Sequence, residues 1–264
     1  MRMIDPLTIA GLGVGILVGM TGVGGGAMMT PLLVLLFGYS PGVAVATDLL
    51  FAAVTKTCGV AVHYRAGTID WVVLRRLFLG SLPAALVVGV GLGYWGAERS
   101  DALDPLVHDA LGWLLLLSAL GTFFRNWLHQ LGAPLRLAGA EQLRRWQHGV
   151  TVAAGVFIGV SVSLTSIGAG ALGAVVLLYL YPVRLLGARL VATDLAHAIP
   201  LALVAGTLHW MRGSVDWALL YSLLLGSIPG VLIGVWLSRW LAVQWVNLAI
   251  ACVLAASGAR LLVI

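Results

Sequence analysis

Apolar residues run along this chain in eight long stretches, at roughly 6–37, 43–62, 72–93, 105–124, 150–181, 189–210, 214–237 and 242–262. Apolarity that is continuous, with no polar face, marks a helix surrounded by hydrocarbon. About 20 such residues span the ~30 Å core of a bilayer. The pattern predicts an all-α polytopic membrane protein of about eight transmembrane segments. Two stretches are longer than a span requires, and both are interrupted. The first breaks at Thr21-Gly22-Val23-Gly24-Gly25-Gly26 and the fifth across Ser161 to Gly170. Each reads either as a discontinuous helix that crosses or as a re-entrant hairpin that returns to its own side. Counting arginines on the two sides gives a tie, and eight crossings is the expectation.

Composition narrows the class. Of 264 residues, 61% are hydrophobic and 9% charged, with a mean hydropathy of +1.03. A soluble domain carries about 25% charged residues, so soluble, disordered and nucleic-acid-binding classes are excluded. Cys58 and Cys252 both lie in apolar runs, which suggests neither a disulfide framework nor a metal site; no cofactor is expected. The charges set orientation. Arg65, Arg75 and Arg76 follow the second stretch, and Arg125, Arg136, Arg144 and Arg145 precede the fifth. Between them, 98–109 is an acidic loop with Glu98, Asp101, Asp104 and Asp109. The positive-inside rule puts the two basic loops in the cytoplasm and the acidic loop outside, as in a multi-pass plasma-membrane protein. The first stretch lacks a cleavage site and reads as retained.

The chain repeats itself 146 residues on. Val45-Ala46-Thr47-Asp48-Leu49 recurs as Val191-Ala192-Thr193-Asp194-Leu195, and His63, Gly67, Asp70 and Trp71 recur as His209, Gly213, Asp216 and Trp217. Leu79-Gly80-Ser81 and Pro83 recur as Leu225-Gly226-Ser227 and Pro229, and Gly22 and Gly24 fall on Gly168 and Gly170. Shared hydrophobicity does not reproduce Asp, His, Trp and Pro in one register. The expected organisation is a first transmembrane repeat at 1–124, a basic connecting loop at 125–149 and a second repeat at 150–264. Duplicated halves with broken helices are the sequence signature of secondary transporters.

These motifs, Gly22 to Gly26, Ala46-Thr47-Asp48-Leu49-Leu50, His63 to Trp71 and Gly80-Ser81-Leu82-Pro83, resemble the sulfite exporter TauE/SafE family over nearly the whole chain. The resemblance implies a plasma-membrane permease for sulfite, organosulfonates or related small sulfur-containing anions. The second copy departs from the pattern, with Leu172 in place of Gly26 and Met211-Arg212 in place of Arg65-Ala66.

The breaks are the first candidates for chemistry. A half-helix that begins inside the protein presents unpaired N–H groups and the positive end of its dipole to an anion. Thr21, Gly22, Gly24, Gly25 and Gly26, with Thr30 nearby, fit such a cradle; so do Ser163, Thr165, Ser166, Gly168 and Gly170. Gly11, Gly15 and Gly19, like Gly226, Gly230 and Gly234, have instead the spacing of helix packing.

Ionisable groups inside spans are the second, because hydrocarbon makes them expensive. Lys56, the one lysine of the chain, offers positive charge to an anion, or forms an ion pair with an aspartate. Asp48 and Asp194 read as proton carriers or as helix caps. His197 joins the proton-coupling candidates, beside a carbonyl of Ala196 that Pro200 frees. His63 and His209 join them too, or else bond a neighbouring loop where a span ends. In Gly-x-x-Asp-Trp, the glycine is expected to turn the chain and the aspartate to cap the next helix.

The reading is a secondary transporter of a small anion, coupled to protons, with the lipid bilayer as its other partner; homo-oligomerisation stays open. A passive anion channel is the alternative. An intramembrane hydrolase using Ser161 with His197 or His209 has weak support, because Val162 follows the serine where a glycine would be expected.

Overall fold

The computed structural model describes residues 5–21, 26–64, 68–98, 100–124, 140–168, 170–181, 184, 185, 187–238, 240 and 243–263. Among them are ten helices and no strand: α1 (Pro6–Thr21), α2 (Gly26–Leu35), α3 (Pro41–Tyr64), α4 (Trp71–Glu98), α5 (Ser100–Phe123), α6 (Ala140–Thr165), α7 (Ala171–Leu180), α8 (Ala188–Met211), α9 (Trp217–Leu237) and α10 (Val243–Val263). Five stretches in described helices are long and apolar enough to cross a membrane: Trp71–Tyr94, Trp146–Thr165, Ala188–Met211, Trp217–Leu237 and Val246–Val263. The two interrupted stretches each split into two helices, α1 with α2 and α6 with α7. Two boundaries differ from the sequence reading. The acidic stretch 98–109 is largely helical, since α4 runs to Glu98 and α5 starts at Ser100; Ser100 and Asp101 suit a helix N-terminus. Helix α6 starts at Ala140, inside the stretch assigned to the connecting loop, whose residues 125–139 lie outside the described residues.

The main helix pairs join the two halves: α1 with α9, α4 with α6, α3 with α8 and α5 with α10. Glycine sets the closest of these contacts. Gly11, Gly15 and Gly19 of α1 lie against the backbone of Leu223, Ser227 and Val231, and Gly226, Gly230 and Gly234 return the contact on Thr8, Leu12 and Ile16. In the same way Gly155 and Gly159 of α6 meet Leu77 and Ser81 of α4, and Gly80 meets Val152. Lipid tails are as apolar as side chains, so helices in a bilayer associate through close packing of this kind.

The contacts also give direction. Residue numbers rise together in α1 and α9, and again in α4 and α6, so each pair runs parallel. In α5 and α10 they run opposite, with Gly112 on Leu262 and Gly258 on Leu116. Helices α3 and α8 are also antiparallel: Leu50 packs on Gly206, while Lys56 is in electrostatic reach of Asp194 and His197. Helices α3 and α8 carry the same repeated motif, so equivalent elements point in opposite directions.

The fifth stretch is a hairpin. Gln147, near the start of α6, donates through Nε2 to the carbonyl of Leu180 at 2.7 Å. The hydroxyls of Thr151 and Tyr181 lie 2.9 Å apart, and Arg76 donates to the Tyr181 hydroxyl at 3.1 Å. A single crossing would hold the two ends about 30 Å apart. The expectation that this stretch crosses once is therefore corrected: its ends meet. In the first stretch, the hydroxyl of Tyr39, after α2, is in electrostatic reach of both Asp5, before α1, and Asp216, the same closed arrangement. Helices α2 and α7 have 10 residues each, a rise of about 15 Å, half of the ~30 Å that a bilayer core measures.

The repeated polar residues hold the halves together. The backbone N–H of Asp216 donates to the hydroxyl of Thr47 at 3.2 Å, and that of Asp70 donates to Thr193 at 3.0 Å. Asp70 and Asp216 cap the next helices, accepting from the N–H groups of Val72 and Val73 and of Leu219. Gly213 turns the chain at φ 72°. The capping assigned to Asp48 and Asp194 as an alternative belongs to these two aspartates instead.

Candidate functional site

Where α3 crosses α8, the core turns polar. Asp48, Lys56, Asp194 and His197 are all buried and well inside their helices. Lys56 is 2% exposed, and its ammonium interacts with the carboxylates of Asp194 and Asp48. Each aspartate also faces the half-length helix of its own half. Asp48 Oδ2 accepts from the Thr30 hydroxyl of α2 at 2.5 Å. Asp194 stands against the first turn of α7, so close that a Cβ added at Gly173 would overlap its Oδ1. A carboxylate at a helix N-terminus is favourable, so the positive end of α7 faces a carboxylate supplied by the protein itself.

The break between α6 and α7 is built for a sharp reversal. Ser166 has φ 60°, the one positive value among described non-glycine residues, and Gly168 and Gly170 have φ 130° and 129°. A side chain is strained in that region and glycine is not. Gly168 and Gly170 accept from the N–H groups of Gly173 and Ala174 at 2.8 and 3.1 Å, which starts α7. At the end of α6, the Thr165 hydroxyl accepts from the N–H of Ile167 at 3.2 Å and donates to the carbonyl of Ser161. The Ser163 carbonyl instead lies 3.0 Å from Nε2 of His209. An acceptor there requires the proton on Nε2. His209 thus bonds the broken helix, not an interfacial loop.

The structure sets Asp48, Lys56, Asp194, His197 and His209 along the contact of α3 with α8, with the Ser163 carbonyl on His209 and Gly173 against Asp194; Thr165, Ser166, Gly168 and Gly170 form the break between α6 and α7. Thr21 ends α1 and donates to the Leu17 carbonyl at 2.7 Å, and Gly26 opens α2. Gly22, Gly24 and Gly25 lie outside the described residues, as does the side chain of His63.

Sequence reasoning missed Ser81 as a site residue. Its Oγ lies 2.8 Å from His197 Nε2, and Phe78 packs on the imidazole with ring centroids 5.3 Å apart. The signal was a hydroxyl recurring in both halves inside an apolar run. The halves are not chemically equal here. At the 146-residue offset, Phe51 stands opposite His197 and Ala202 opposite Lys56. The scaffold is repeated and its charges are not.

A second polar group lies at the end of the bundle where α4 and α8 begin. Asp70 accepts from Arg184 Nε at 2.5 Å and from its NH2 group at 2.9 Å, with Arg189 Nε 4.0 Å away. Burial alone would push the Asp70 carboxyl up. Hydrogen bonds from Arg184 and the Val73 amide, with the charges of Arg184 and Arg189, hold it below the usual carboxylate range.

A buried lysine among carboxylates, at a crossing of broken, duplicated halves, is transporter architecture, and comparison with known proteins agrees. Residues 7–261 match the family model described as sulfite exporter TauE/SafE. The chain belongs to the TauE/SafE family. It is similar to the probable membrane transporter protein YjnA of Bacillus subtilis, with 39% identity over 97% of this chain and 98% of that one. Another relative, the probable membrane transporter protein YdhB of the same organism, is 29% identical over 83% and 84% of the two chains. No solved structure matches. As a TauE/SafE member with several apolar membrane-length helices, the protein is a multi-pass membrane transporter.

Proposed function

We propose that this TauE/SafE transporter is a proton-coupled secondary carrier of a small sulfur-containing anion, sulfite or an organosulfonate, across the plasma membrane. Its halves, 1–124 and 150–264 joined through 125–149, act as inverted repeats. Each contributes one re-entrant hairpin and three crossings, in place of the four crossings per half expected from hydropathy. The opposed directions of α3 and α8 support the inversion, and the Gln147–Leu180 contact supports the hairpin.

The observation that carries the reading is Lys56, fully enclosed at the crossing and in reach of two carboxylates. The residues proposed to receive the anion are Lys56 and those of the two breaks: Thr21, Gly22, Gly24, Gly25 and Gly26, and Ser163, Thr165, Ser166, Gly168 and Gly170. Asp194 occupies both positive elements, the ammonium and the N-terminus of α7. A proton on Asp194 frees both for the substrate, so proton and anion bind together and the site stays close to neutral. His197 lies beside this pair, and His63 and His209 end the spans that carry it. The test is saturable flux of radiolabelled sulfite in proteoliposomes under a pH gradient. Lys56→Ala is expected to abolish it, and Asp194→Asn to leave flux that no longer responds to the gradient. Full, saturable transport by Lys56→Ala would remove the lysine from the mechanism.

A further inference from the structure

The duplicated scaffold is the same at both ends of the bundle. Asp70 and Asp216 each cap the helix that follows, and each donates its backbone N–H to a threonine of the other half. The arginines around Asp70 are not duplicated. At the 146-residue offset, Arg76, Arg184 and Arg189 stand opposite Ser222, Gly38 and Val43. The scaffold is thus built without them at the end that carries Asp216.

These arginines are held in place with most of their donors unused. Arg184 commits Nε and one Nη group to Asp70, yet its side chain is 45% exposed. Arg189 turns its Nε toward the same carboxylate from 4.0 Å and is 52% exposed; its guanidinium makes no hydrogen bond among the described residues. Arg76 donates to the Tyr181 hydroxyl at 3.1 Å. The Tyr181 carbonyl accepts from the Leu185 N–H at 2.9 Å, so one turn of chain carries Tyr181 and Arg184, and their side chains interact. Among the described residues, three guanidinium groups therefore gather around one carboxylate. Each has five N–H donors in a planar fork that matches a phosphate group.

Their surroundings place them at the membrane surface. Trp71 and Trp146 are exposed at the first positions of the α4 and α6 spans, and tryptophan there marks the membrane–water interface. Val72 and Leu79 are exposed as well, with Arg75 exposed between them, so this end of α4 faces lipid. It is also the end that the positive-inside rule turns toward the cytoplasm, whose leaflet is the anionic one.

We propose that Arg76, Arg184 and Arg189 bind the phosphate of an anionic phospholipid headgroup in the cytoplasmic leaflet. Asp70 fixes the fork of Arg184, the Tyr181 hydroxyl fixes Arg76, and Arg189 supplies a guanidinium with no other hydrogen bond to give up. A zwitterionic headgroup brings its own cation to a cluster already in positive excess, so the site discriminates against phosphatidylcholine. Its occupation does not depend on which anion the protein carries.

The experiment is binding of radiolabelled phosphatidylglycerol to the purified full-length protein in excess detergent, without sulfite. Saturable binding is expected, with none for labelled phosphatidylcholine and no displacement by a large excess of inorganic phosphate. Arg76→Gln and Arg189→Gln, which both leave the Asp70–Arg184 pair intact, are each expected to weaken binding about tenfold, the scale of one charge-assisted hydrogen bond. Arg189→Lys keeps the charge without the fork and is expected to bind more tightly than Arg189→Gln. Arg212→Gln, at the other end of α8, is expected to bind as the parent does. The proposal is overturned by absence of saturable phosphatidylglycerol binding, by equal binding of phosphatidylcholine, or by displacement with inorganic phosphate, which would make this a site for a free anion. Binding unchanged in both Arg76→Gln and Arg189→Gln, or weakened equally in Arg212→Gln, overturns it too. Failure of the anion-carrier reading shows up separately, as absence of sulfite flux.

Discussion

The side-chain amide of Gln147 donates to the carbonyl of Leu180 at 2.7 Å, which closes α6 and α7 into a loop that begins and ends at one place. The segment after α7 then shares a side with the basic loops that flank α4 and α6. In a background with Cys58 and Cys252 replaced by alanine, an impermeant maleimide applied to intact cells is expected to label Ser214→Cys. Arg184→Cys is expected to react only after permeabilisation. The reverse pattern would restore the single crossing and defeat the inverted-repeat reading.

Gly11, Gly15 and Gly19 of α1 and Gly226, Gly230 and Gly234 of α9 are expected to be intolerant one by one. A Cβ at Gly226 would overlap the Thr8 carbonyl, whereas one at Gly91 would meet nothing. Gly226→Val should cost about 3 kcal/mol through overpacking. It should lower the yield of monodisperse protein on size-exclusion chromatography, with Gly91→Ala behaving as the parent.

Asp70 gives the protein an acid-sensitive contact outside the membrane. Its carboxyl is held below the usual range by Arg184. The stabilisation is therefore present above the unfolded carboxyl value of about 4 and is lost as pH falls through the lower folded value. Thermal unfolding in detergent at pH 7 and pH 3 is expected to show a smaller acid-induced drop for Asp70→Asn than for the parent. An equal drop would mean that the Arg184 contact contributes nothing to acid sensitivity.

His197 tests whether the unequal chemistry of the halves matters. His197→Phe copies the residue at the equivalent position, Phe51, and suits a pocket already lined by Phe78. The fold should survive, with sulfite flux reduced about a hundredfold, the lower range for losing a proton-transfer group. A parental rate in a well-folded variant would assign His197 to packing alone.

Much of this was legible in the chain. Apolar runs gave the places of the helices, because hydrocarbon demands about 20 apolar residues whatever they pack against, but not all their ends: α6 begins at Ala140, before its run, and α4 and α5 take in most of the acidic stretch. The glycine stripes and the capping aspartates of Gly-x-x-Asp-Trp were readable too, since spacing and local hydrogen bonding determine them. The sites of the two breaks were visible as glycine-rich interruptions, but not the direction taken after them. Hydropathy measures length and solvent, and a helix that crosses looks the same as one that turns back. The role of Ser81 was hidden because its partner, His197, lies 116 residues away.

By itself, the sequence determined a duplicated helical membrane protein and its short roster of buried charges, since both follow from residue type and spacing. Tertiary structure alone decided that α3 and α8 run antiparallel, that α6 and α7 double back, and that Lys56 reaches the carboxylates of both Asp48 and Asp194. Those outcomes depend on which surfaces meet between residues apart in the chain, 33 positions for Gln147 and Leu180 and far more between α3 and α8. A glycine contact or a hydrogen bond fixes them only once the helices are packed.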